Sequence, residues 1–174
     1  MKTRASGLLA ALALVALSVT TVQAQPSASA TATATINIPT VLGIDVSDTN
    51  IAFDDPTVTD FEAGFIASTD QSVIDTKGNV AHDLTVEADA SNFSGGSGSK
   101  PASDLVWSTG GAITVPGDGT GLSTSPATIT SGLGRGVNAS AATVDYGILL
   151  DFGTDAPDSY TLSFTYTLVP SSTP

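Results

Sequence analysis

Two stretches of this chain alternate apolar and polar residues almost without a break. Val144, Tyr146, Ile148, Leu150 and Phe152 fall on one side of the first, and Tyr160, Leu162, Phe164, Tyr166 and Leu168 on one side of the second. Successive side chains of a β-strand point to opposite faces, so a period of two reads as a strand with one face in a core. The same period recurs at Val80, His82, Leu84, Val86 and Ala88, and in the Ala/Thr-rich run 28–38, which carries Ala28, Ala30, Ala32, Ala34, Ile36 and Ile38 on one face before Pro39 closes it. Beyond residue 24, no window of a dozen residues repeats at the 3.6-residue helical period. Shorter candidates are Leu42, Ile44 and Val46; Ile51 and Phe53; 65–68 and 72–75; Leu105 with Trp107; Ile113 with Val115; and an edge-type segment at 126–130. Asp54-Asp55-Pro56, Lys77-Gly78-Asn79, the 94–99 Gly/Ser loop and the glycine-rich 116–121 stretch punctuate them, and 153–159 reads as a hairpin loop between the two strongest strands. Eight or more short strands at this spacing predict an all-β fold, an immunoglobulin-like antiparallel β-sandwich. Its core is expected to include Ile36, Ile38, Leu84, Val86, Trp107, Ile148, Leu150, Leu162, Phe164, Tyr166 and Leu168.

Residues 1–24 have a different character. Lys2 and Arg4 precede the apolar run 8–17, and Val22-Gln23-Ala24 offers the small residues a signal peptidase requires, so 1–24 reads as a secretory signal peptide and 25–174 as a single domain. The apolar run is shorter than the roughly 20 residues a spanning helix needs, and no later segment is a membrane-span candidate. The 150 residues that follow keep only Lys77, Lys100 and Arg135 against 17 acids, a net charge of −14. Such a domain repels phosphate backbones and has no basic stripe, which argues against a nucleic-acid partner. With no cysteine, it has no disulfides, thiolate metal sites or cysteine nucleophiles. At 41% hydrophobic and 13% charged residues it lacks the composition of a disordered chain.

Candidate chemistry is sparse. His82 is the only histidine and shares a face with Val80, Leu84 and Val86, the setting of a packed residue rather than a general base. No Gly-x-Ser-x-Gly elbow occurs, and Gly132-Leu133-Gly134-Arg135-Gly136 lacks the spacing of a nucleotide loop. Asp45, Asp48, Asp54, Asp55 and Asp60 are dense, as are Asp151, Asp155 and Asp158, but none follows calcium-loop spacing, so a solvated acidic surface is expected, with no cofactor or resident metal. Trp107 pairs with Leu105 and reads as core.

Two separated segments carry a resemblance. Val73-Ile74-Asp75-Thr76-Lys77-Gly78-Asn79 leads into His82-Asp83-Leu84-Thr85-Val86, then Asn92-Phe93 and Leu105-Val106-Trp107-Ser108; the second segment is Tyr160-Thr161-Leu162-Ser163-Phe164-Thr165-Tyr166-Thr167-Leu168-Val169-Pro170. Together they resemble the WxL domain of bacterial surface proteins, with His82 and Tyr166 standing where that family has its two signature tryptophans. The resemblance implies a secreted, non-catalytic cell-surface protein that binds peptidoglycan noncovalently, with cell-wall glycan and other surface proteins as partners. It points to His82, Leu84, Tyr166 and Leu168 as ligand-binding residues. The alternative, drawn from the 28–38 strand, is self-association as the structural subunit of an extracellular fibre or coat built by β-strand addition.

Overall fold

A computed structural model describes residues 28–96 and 98–171. Residues 1–24, expected from sequence to be a signal peptide, lie outside them. Most of the alternating runs become strands, the two strongest over part of their length: β1 (Leu42–Val46), β2 (Phe65–Gly78), β3 (His82–Ala88), β4 (Leu105–Ser108), β5 (Thr120–Gly121), β6 (Ala127–Leu133), β7 (Gly136–Leu149) and β8 (Phe164–Pro170). They form two antiparallel sheets, one in the order β1-β2-β7-β4-β5 and the other β6-β3-β8, packed as an all-β sandwich. Among the described residues no helix is long and apolar enough to cross a membrane.

The core lies between the sheets. Ile74, Val144, Tyr146 and Ile148 face it from the larger sheet, and Leu84, Val86 and Ala88 from the smaller one. Alternation located it well for Leu84, Val86, Trp107 and Ile148, all buried. Leu150, Leu162, Phe164, Tyr166 and Leu168 pack against this cluster but are only half-buried. Their faces were read correctly. Their depth was not: Phe164, Tyr166 and Leu168 lie on β8, which ends its sheet, and Leu150 and Leu162 lie just outside the strands.

Several expectations are overturned: Ile51 and Phe53 form no strand, and the 116–121 stretch, expected as a turn, ends in β5. The 28–38 run forms no strand, and Ile36 and Ile38 are 81% and 70% exposed rather than core. The 153–159 connection is no hairpin, because β7 and β8 lie in different sheets. Ile113 and Val115 make no strand; Ile113 is buried in a loop, close to Val106 and to the spot a Cβ on Gly147 would occupy.

The weak candidates 65–68 and 72–75 are one 14-residue strand, β2, paired with β7 from Phe65↔Leu149 to Gly78↔Gly136 through two irregularities. In the first, Ser68 and Asp70 break the alternation because their side chains grip Ala52: Ser68 Oγ donates to its carbonyl at 2.8 Å and Asp70 Oδ2 accepts its N–H at 2.9 Å. In the second the extra residues are on β7, where Ser140 takes φ 49 and its N–H donates to Asp75 Oδ1 at 2.6 Å. Bulges of this kind bend and twist a strand, and a side-chain acceptor takes up the N–H that the ladder leaves free.

A short helix, α1 (Val58–Ala63), precedes β2. Thr57 and Asp60 form a reciprocal capping box at its start, and Gly64 ends it at φ 77, where a Cβ would be strained.

Candidate functional site

The residues singled out from sequence sit on the inner face of the smaller sheet. In the β3–β8 ladder Leu84 is opposite Leu168, His82 opposite Pro170 and Tyr166 opposite Val86. Leu84 and Leu168 are therefore brought together, while His82 and Tyr166 stand four positions apart along the strands. His82 and Leu84 have no exposed surface. As placed, neither offers a face on which a sugar ring stacks.

Both nitrogens of His82 are engaged. Nδ1 lies 3.1 Å from the Val80 carbonyl, which only accepts, and Nε2 lies 2.9 Å from Thr76 Oγ1. In the neutral ring, Nδ1 therefore carries the hydrogen and Nε2 accepts from the Thr76 hydroxyl. Glycine at position 78 makes room for the ring, since a Cβ there would come within 3.0 Å of Nδ1.

Tyr166 ends a hydroxyl chain that crosses the core. Its hydroxyl bonds to that of Tyr146, which donates to Ser72 Oγ at 2.8 Å, and Ser72 in turn donates to the Asp48 carbonyl at 2.8 Å. Burial pushes both phenols above their ordinary value, and for Tyr166 the nearby Tyr146 hydroxyl adds to the rise. The chain satisfies polar groups that would otherwise be orphaned between the sheets.

Carboxylates elsewhere serve mostly as acceptors for nearby backbone. Asp83 accepts from Gly132 N–H and Ser171 Oγ, both at 2.7 Å; Asp118 accepts from Thr114 Oγ1 at 2.8 Å and from the N–H groups of Thr114 and Val115; Asp60 accepts from Thr57. The short Asp side chain reaches neighbouring N–H groups, a use open to many of the 15 Asp of a chain with 2 Glu. Among the described residues no group of three or more metal-ligating side chains is poised to hold a metal ion.

These hydrogen bonds lower three pKa values below the ordinary 3.8: Asp60 chiefly through the Thr57 hydroxyl, Asp83 through the Gly132 N–H and Asp118 through the Thr114 hydroxyl. Depressed carboxylates bind protons in the unfolded chain first. Their stabilisation is therefore full above pH 3.8 and is lost as the pH falls through their folded values. Urea midpoints measured from neutral pH downwards are expected to stay level and then drop in that window. Asp118→Asn should flatten part of the drop, and an equal drop in that variant would refute its share.

Sequence reading missed the most connected charge. Lys100 is 4% exposed, and its Nζ donates to Asp104 Oδ2 at 3.2 Å, to the Leu149 carbonyl at 2.7 Å and to Asp155 Oδ2 at 2.9 Å. The available signal was rarity: a lone cation between the 94–99 loop and Pro101, in a chain of few bases. That loop is itself seated, not merely a spacer. Gly95 and Gly96 adopt φ 83 and φ 81, and a Cβ on them would come within 2.3 Å of the Ser159 carbonyl and 2.5 Å of the Tyr160 ring. Lys100 also borders a cleft of about 350 Å³ whose walls include Asp55, Phe61, Asp155, Asp158 and Tyr160.

The remaining feature is backbone rather than side chain. Each sheet ends in strands with one unpaired edge, and the 28–38 run has the alternation of a strand with no ladder of its own among the described residues. Comparison with protein-family models, curated proteins and solved structures finds no match.

Proposed function

We propose that this protein is a secreted, non-catalytic structural subunit that associates by β-strand addition, its 28–38 run supplying the added strand. One observation carries the reading: a run with strand alternation, free of charged residues, is a strand of neither sheet, with Ile36 and Ile38 exposed. An extended segment that docks on a sheet edge gains main-chain hydrogen bonds and buries every second side chain. The Ala, Thr and Ile of this run suit that use: small or β-branched, apolar on one face and hydroxylated on the other. The test is sedimentation of the 25–174 chain over a range of concentrations, beside the Ile36→Asp, Ile38→Asp variant. Concentration-dependent assembly that the variant loses is the expected result. A wild-type chain that stays monomeric throughout would overturn the reading.

A cell-wall glycan role has one feature in its favour. The cleft bordered by Phe61 and Tyr160 offers aromatic surface beside Asp55 and Asp158, carboxylates able to accept sugar hydroxyls. With a net charge of −14 the domain approaches an anionic wall against repulsion, so any attraction is local. Co-sedimentation with purified sacculi, lost in Tyr160→Ala, supports this role; no retention of the wild-type chain rejects it.

A further inference from the structure

Strand addition needs an acceptor, and the two sheets present four edge strands: β1, β5, β6 and β8. β5 has two residues, too few to template a ladder. β6 meets β3 through two register irregularities, and Asp83 already takes the N–H of Gly132 in it. Bulges and occupied edge groups are the usual protection of an edge against pairing. β1 has five residues, among them Gly43 and the charged Asp45.

β8 is the least protected, with only Pro170 at its end and the 48–50 segment across a cleft of about 300 Å³ from Phe164 and Tyr166. Its ladder with β3 runs unbroken from His82↔Pro170 to Ala88↔Phe164, and from Phe164 to Val169 it contains no charge, glycine or proline. Its backbone phase follows from the bonds at its two ends: Ser171 N–H donates to the Ala81 carbonyl and Asp89 N–H to the Ser163 carbonyl, each at 2.9 Å. Odd-numbered residues thus face β3. The N–H and C=O groups of Phe164, Tyr166 and Leu168 point to the free edge, and among the described residues no hydrogen bond engages them. The side chains of the same residues face the core yet stay half-buried, because the sheet stops there.

We infer that the free edge of β8 is the acceptor, and that its occupant is the 28–38 run of a second copy of this chain. Ala34, Ile36 and Ile38 would continue the apolar face begun by Phe164, Tyr166 and Leu168, leaving the threonines of both strands to solvent. This rests on the strand-addition reading above. Charge favours the pairing: copies at net −14 repel, and neither the donor run nor β8 contains an ionisable carboxylate or a basic group. A second copy is favoured over self-addition by the approach to β1. One Asn79 side chain holds both sides of Thr40, accepting the Val41 N–H at 2.8 Å and donating to the Pro39 carbonyl at 2.6 Å, and this stretch has no glycine with which to reverse.

The absence of cysteine makes the test clean. Chains carrying Thr33→Cys are mixed with chains carrying Thr167→Cys, an exposed β8 position, and treated with a short bis-maleimide. Mixtures with Asp45→Cys on β1 or Thr128→Cys on β6 are run in parallel. Heterodimers in the Thr167 mixture, absent or much weaker in the other two, are expected. Amide exchange at Phe164, Tyr166 and Leu168 should also slow as concentration rises, and cease to do so in the Ile36→Asp, Ile38→Asp variant. Association with cross-links only to β1 or β6, or to none of the three, overturns the β8 assignment and leaves strand addition standing. A link formed within one chain carrying both Thr33→Cys and Thr167→Cys at high dilution overturns the second-copy occupant. A wild-type chain that never associates overturns both inferences.

Discussion

Replacing Lys100 with methionine is expected to lower folding stability by about 3 to 5 kcal/mol, the cost of leaving a buried charge without its partner. Methionine fills a similar length but offers no donor. Asp155, whose side chain is 8% exposed, would keep only the Asp151 N–H at 3.0 Å, and the Leu149 carbonyl would lose its 2.7 Å bond. The ammonium ties together the end of the 3₁₀ turn (Ala102–Asp104), the end of β7 and the 151–155 turn, so its loss should loosen all three. Urea unfolding gives the magnitude. The double variant Lys100→Met, Asp155→Asn should recover part of the loss, since it removes the uncompensated charge as well as its partner. A loss below about 1 kcal/mol in the single variant would mean that water replaces the ammonium and that the triad behaves as a surface pair.

Leu84→Ala is the second large effect, at about 2 to 5 kcal/mol, because Leu84 is fully buried at the centre of β3 and β8 and β6 flank it on both sides. Leu162→Ala should cost clearly less. Both leucines carry the same alternation signal, but Leu162 is only half-buried and its neighbourhood can relax into solvent. Equilibrium unfolding of the two variants side by side decides the order. A larger loss at Leu162 would refute this order; the comparison belongs at high dilution, where association does not contribute.

Other features were readable in principle. Thr57 with Asp60 and Gly64 bracket α1 with a capping box and a left-handed stop, but six residues are too few to show a helical period. β2 was legible only in pieces, because Ser68 and Asp70 spend their side chains on Ala52 instead of on an alternating face. Lys100 carried no local pattern at all. Asp104 is only four positions on, but Leu149 and Asp155 lie 49 and 55 positions away, separations that no window of sequence spans.

The sequence by itself determined the all-β class and which residues of β3, β7 and β8 face inward, because side-chain alternation is a local property of an extended backbone and one apolar face per strand demands a second layer to cover it. Only the tertiary structure decided which strands share a sheet, placing β7 and β8 in different layers where adjacency in sequence suggested a hairpin, and leaving the 28–38 run a strand of neither. Pairing depends on backbone hydrogen bonds between distant segments, and every strand offers the same N–H and C=O groups whatever its side chains. Alternation therefore names the face of a strand without naming its neighbour.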